Sequence, residues 1–147
     1  MGKAHSNAYC QVEHFYDAPY RIRRKLLCGR DVNALSAMAS RWGWEETSTD
    51  WRSAIERADI DAVDISLPNH LHAPAAIAAA EAGKMVLCEK PLAMNAEEAA
   101  KMVRAAEKVP TLVWYNYRRV PAIAYAKQLI DQGRLGRIFH YRAAYMQ

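Results

Sequence analysis

The chain has 147 residues, 52% of them hydrophobic and 24% charged, with a formal net charge of +4. That length suits one domain of ordinary size, and the composition excludes a disordered, collagen-like or disulfide-dense chain. No apolar run approaches the roughly 18 residues of a membrane span and the N-terminus has no signal-peptide pattern, so a cytoplasmic protein is expected.

The first residues, MGKAHSNAY, read as the start of a helix with Gly2 in its first turn. The densest basic run follows, RIRRK at 21–25. It reads either as a solvated lead-in to a strand or as an anion site for phosphate or nucleic acid. KLLCG is a strand, and DVNALSAMASRWG is a helix that Gly43 suits as a stop. TDWRSAIERAD is a second helix capped by Thr49 or Asp50, and DAVDISLP is a strand ending at Pro68. HAPAAIAAAEAG is an alanine-rich helix stopped by Gly83. MVLCE is a strand, and NAEEAAKMVRAAEK is a helix capped by Asn95 with Glu97 and Glu98 in its positive first turn. TLVWYN is a strand, PAIAYAKQLIDQGRLG a helix opened by Pro121, and RIFHYRAAYM a last strand-like run.

Strand and helix alternate, which is the signature of βαβ units and a parallel sheet with helices on both faces. The fold class is α/β, a Rossmann-type doubly wound parallel sheet. In such sheets ligands sit beyond the carboxyl ends of the strands. The residues there are GRD at 29–31, PNHLH at 68–72, EKP at 89–91 and NYRR at 116–119. Three cysteines without a Cys-x-x-Cys pattern suggest neither a disulfide framework nor a zinc knuckle. Cys28 and Cys88 lie in apolar runs and are read as buried thiols. His70 and His72 share an H-x-H spacing but lack a nearby carboxylate or cysteine pattern, so no metal is expected.

GKAHSNAY, PNHLH, CEKPLA and NYRRVPA, in this order and spacing, resemble the N-terminal part of the Gfo/Idh/MocA oxidoreductases. The resemblance implies a Rossmann domain for NAD or NADP, here residues 1–120, and the start of a second α/β domain at 121–147. It implies hydride transfer at a carbinol or ketone of a sugar, cyclitol or related polyol, and a homo-oligomer formed through the second domain. Gly2 would match the third glycine of the dinucleotide fingerprint. The family's first strand and first two glycines have no counterpart here. In the order 3-2-1-4-5-6 that strand is central. Its neighbours would then keep unpaired backbone groups, and an internal piece of a longer enzyme is expected.

By the same resemblance Lys90 is the catalytic residue, oriented by Glu89. An alcohol that gives up hydride must also lose a proton, and a partly desolvated lysine can accept it. The tripeptide alone would favour an ordinary surface lysine, and the Lys90–Pro91 bond admits a cis form. Arg30 beside the strand tip would accommodate the 2′-phosphate of NADP, while Asp31 keeps NAD in play. Leu67, Pro68 and Asn69 would line the nicotinamide ribose, with His72 near the cofactor. His5 would face the cofactor or simply pack. Asn116, Tyr117 and Arg118 would face the substrate, with Arg118 donating to sugar oxygens. Trp42, Trp44 and Trp51 are read as packing residues, with Trp114 placed near the site. The competing readings are a non-catalytic dinucleotide-binding or ligand-sensing module on the same fold, and nucleic-acid binding through RIRRK.

Overall fold

The computed structural model describes residues 1–144 and 146. It divides into a unit Met1–Trp114 and a unit that begins at Tyr115.

In the first unit, helix α1 (Gly2–Phe15) leads to strand β1 (Leu26–Cys28), α2 (Val32–Trp42) and β2 (Glu46–Ser48). Then come α3 (Trp51–Glu56), β3 (Ala62–Ile65), α4 (His72–Glu81), β4 (Met85–Glu89), α5 (Ala96–Ala105) and β5 (Thr111–Trp114). Polar caps start the helices at the expected places. Asp31 accepts the Ala34 N–H at 2.9 Å, Asp50 accepts those of Arg52 and Ser53, and Asn95 accepts that of Glu98 at 2.9 Å. Each cap satisfies a first-turn donor that the helix leaves without a partner. Gly43 and Gly83 follow the ends of α2 and α4 with φ of 66° and 74°, where a side chain would be strained.

Among the described residues all strand pairs are parallel, and they form two sheets instead of one: β1–β2 and β3–β4–β5. In a parallel pair, alternate residues turn their backbone groups to one neighbour. The bonds Glu46 N–H to Lys25 O, Gly29 N–H to Ser48 O and Met85 N–H to Asp61 O fix that phase. Leu26 and Cys28 of β1, and Ala62 and Asp64 of β3, therefore turn their backbone groups away from their partners. The inner edges of the two sheets are unpaired with each other, as expected where the central strand position of a 3-2-1-4-5-6 sheet is open. Strand β2 was not foreseen. Its sequence, Glu-Thr-Ser, is polar because it forms a half-exposed edge.

The core is centred on β3–β4–β5. Ile65, Val86 and Cys88 are packed by Ala73, Ala76 and Ala79 of α4, with Ile55 and Met102 completing the cluster. Alanines suit this face because short side chains let a helix approach a sheet closely. Ala79 is fully inaccessible. Cys88 is buried as expected, whereas Cys28 is only half-buried because β1 lies outside this cluster.

The second unit contains a 3₁₀ turn at Asn116–Arg119 and helix α6 (Pro121–Asp131), with Pro121 at its first position. The helix stops earlier than the pattern predicts and gives way to turns at Gly133 and Gly136, whose φ values are positive. The strand predicted over 137–146 is absent among the described residues; Tyr145 lies outside them. Those residues have no strand partner, and an extended segment without one gains no ladder bonds.

Candidate functional site

The carboxyl ends of β1, β3, β4 and β5 carry the polar residues singled out from the sequence. Beyond β1, a cleft of about 560 Å³ is lined by Gly2, Gly29, Arg30, Asp31, Leu35 and Ser66, among others. Gly29 is the tight position: a Cβ there would lie 2.9 Å from Leu35 Cδ2. Gly2 is not tight, because a Cβ would meet Met38 Cε at 3.4 Å and Ser66 Oγ at 3.6 Å, ordinary contact distances. A side-chain carbon at Gly2 would therefore be accommodated within this chain. Arg30 and Asp31 are both exposed at the rim, and Asp31 spends Oδ1 on capping α2. A glycine at the strand tip, a flanking guanidinium and a carboxylate fit the ribose end of a dinucleotide.

At the tip of β4, Glu89 is buried (5% exposed) and its Oε2 accepts the Lys90 backbone N–H at 2.8 Å. Lys90 itself is exposed and the Lys90–Pro91 bond is cis. The partial desolvation expected for Lys90 is thus not supplied by this chain's own packing, because the turn projects beyond the sheet.

Two histidines flank this turn. His72 is 1% exposed; its Nδ1 lies 2.8 Å from Pro91 O and its Nε2 2.8 Å from Leu67 O. Both ring nitrogens of His72 are thus engaged inside the protein. Leu67 is half-buried, and Pro68 and Asn69 are exposed on the turn after β3. His5 of α1 places Nδ1 2.7 Å from Asp64 Oδ2 and Nε2 3.2 Å from Glu89 Oε1. Asp64 Oδ2 also accepts the Tyr9 hydroxyl at 2.7 Å, and Oδ1 accepts Trp114 Nε1–H at 3.0 Å. Burial, reinforced by the charge of Asp64, pushes the Tyr9 phenol well above its usual range and keeps it a donor. The His5 and Trp114 rings meet edge-on at 5.2 Å.

Sequence reasoning missed this cluster. The usable signals were Asp64 inside an apolar strand, which needs partners when buried, and His5 and Tyr9 one helical turn apart on one face. Trp44 Nε1–H donates to the buried Ser6 Oγ at 3.1 Å, so Trp44 packs α1. Asn116, Tyr117 and Arg118 lie exposed on the 3₁₀ turn of the second unit. In the RIRRK run, Arg23 pairs with Glu45, and Lys25 with Glu45, Glu46 and Asp59. Those partners neutralise two of its charges, as on an ordinary surface. Among the described residues no group of His, Cys, Asp and Glu is arranged to hold a metal, and no helix is long and apolar enough to cross a membrane.

Parallel sheets whose strand ends carry these groups have the layout of a nucleotide-binding domain. Residues 1–117 match the family model described as oxidoreductase family, NAD-binding Rossmann fold, and the chain belongs to that family, Gfo/Idh/MocA. Levoglucosan dehydrogenase of Pseudarthrobacter phenanthrenivorans is 47% identical over 150 aligned residues, covering 100% of this chain and 38% of the relative. Inositol 2-dehydrogenase of Rhizobium meliloti is 36% identical over 108 residues, 71% of this chain and 32% of the relative. A solved structure of levoglucosan dehydrogenase in complex with NADH and levoglucosan superposes with a TM-score of 0.89 over 93% of this chain and 38% of that one. The chain therefore spans well under half the length of these relatives.

Proposed function

We propose that the protein to which this chain belongs is a nicotinamide-dependent dehydrogenase acting on a carbinol or ketone of a sugar, cyclitol or related polyol. One observation carries the reading: Lys90 stands exposed at the tip of β4 on a turn whose backbone is held by a buried carboxylate. The nicotinamide, when bound, accepts or returns the hydride. Lys90 Nζ serves the proton transfer, taking the hydroxyl proton as the alcohol is oxidised and giving it back in reduction. Gly2, Arg30, Leu67, Pro68 and Asn69 belong to the cofactor side of the reading, and Asn116, Tyr117 and Arg118 to the substrate side. The family's description as NAD-binding supports NAD; Arg30 at the rim would admit the 2′-phosphate of NADP.

Residues 1–120 are read as the nucleotide-binding domain and 121–147 as the opening of a second domain that mediates homo-oligomer formation. Ile123, Tyr125 and Ile130 of α6 are exposed apolar side chains, which supports a covering partner. The three free cysteines support a reducing, cytoplasmic setting.

In the complete gene product, Lys90→Ala is expected to reduce kcat by about 100-fold or more while dinucleotide affinity stays within a few-fold. Turnover that survives the substitution would remove Lys90 from the chemistry.

A further inference from the structure

We infer that His5 and His72 are positioning residues which hold the Glu89–Lys90–Pro91 turn from its two sides; the inference rests on the catalytic reading of Lys90. A side-chain contact of Glu89 before Lys90 and a carbonyl contact of Pro91 after it each end on an imidazole. Before it, Glu89 uses Oε2 for the Lys90 N–H and Oε1 for His5 Nε2. After it, the Pro91 carbonyl meets His72 Nδ1, whose ring is tied at its other nitrogen to Leu67 O at the end of β3. The turn is thus referenced to helix α1 on one side and to the β3–α4 connection on the other. Lys90, like Pro91, is left exposed between them.

Hydrogen-bond inventory sharpens the first clamp. Tyr9 and Trp114 both donate to Asp64, which makes Asp64 an acceptor and leaves His5 Nδ1 as a further donor to it. One proton then lies between His5 Nε2 and Glu89 Oε1, whichever atom carries it. His5 therefore couples two buried or half-buried carboxyl groups on different strands, so a shift of Glu89 would disturb every donor on Asp64. In the second clamp a carbonyl oxygen only accepts, so His72 holds the turn through the hydrogen that its Nδ1 donates to Pro91 O. Positioning of this kind acts on the chemical step, since a misplacement of about 1 Å at a reacting group costs about 100-fold in rate.

The test compares His5→Ala, His72→Ala and Lys90→Ala in the complete gene product. The histidine variants are expected to lose about 10- to 100-fold in kcat, with dinucleotide affinity changed less than about threefold, and His72→Gln is expected to recover part of the loss through its restored donor. If Lys90→Ala abolishes turnover and the histidine variants retain it, the clamp is wrong and the catalytic lysine stands. If Lys90→Ala retains turnover, the functional reading itself has failed. A second measurement needs neither activity nor substitution. In the unsubstituted 147-residue chain, the Lys90 amide is expected to exchange with solvent at least about 100-fold more slowly than an open-loop amide, and exchange at the open-loop rate would overturn the clamp.

Discussion

The two sheets of the first unit share parallel pairing but are stabilised by different forces. The β3–β4–β5 sheet is stabilised by apolar burial: Ile65, Val86 and Cys88 are 2%, 4% and 1% exposed. The β1–β2 sheet has no buried strand residue, and charged pairs fasten its surroundings. Arg57 reaches Glu46 at 2.6 Å and Asp59 at 2.7 Å, Lys25 also pairs with Glu46, and Arg23 pairs with Glu45. The side chains of β1 and β2 stay half-exposed or exposed. Exposed pairs then supply the register that packing supplies elsewhere, each worth little on its own.

The contrast is most easily broken in the core. Ile65→Ala is expected to lower unfolding free energy by about 2–5 kcal/mol in a urea titration, whereas Leu27→Ala in half-buried β1 should cost about 1 kcal/mol. Equal losses would mean that the two sheets are equally packed.

Thiol chemistry gives a second measure. Burial, then the negative charges of Asp64 and Glu89, raise the Cys88 thiol from 9.0 to about 11, which cuts its thiolate fraction about 100-fold near neutral pH. Cys88 should therefore resist a thiol reagent until the domain unfolds, while Cys28, only half-buried, reacts before it. Labelling in the reverse order would contradict the burial pattern.

The smallest effect concerns the ion pairs. Hydrogen bonds from Arg57 and then Lys25 lower the Glu46 carboxyl from 4.5 to about 2. A depressed carboxyl stabilises the fold above its ordinary value and loses that contribution as pH falls toward the folded-state value. Glu46→Gln should lower Tm slightly at pH 6 and progressively less between pH 4.5 and 2, and added salt should shrink the difference at pH 6. A gap that is constant across this range would assign the stabilisation to packing.

Much of the fold was legible because its signals are local. Asp50 (or Thr49) and Asn95 announced helix starts, Gly43 and Gly83 announced stops, and the apolar runs of β3 and β4 announced buried strands. Strand β2 was not legible, since a polar edge strand looks like a loop until its partner is known. The run at 137–146 formed no strand among its described residues for the opposite reason: strand propensity without a neighbour does not make a strand. At the site, the EKP turn was found because it follows a strand. The histidines were harder. His5 joins Asp64 and Glu89 across 59 and 84 residues, and His72 joins Pro91 across 19. Side-chain contacts over such separations are set by tertiary packing, which periodicity does not encode.

The His5 bridge also has a thermodynamic consequence. It makes the docking of α1 and the order of the Lys90 turn parts of one equilibrium. A ligand that binds only the ordered turn must, by linkage, raise the free energy of undocking the helix as well. Occupancy at the tip of β4 would then be readable at the N-terminus, as slower amide exchange along Gly2–Phe15.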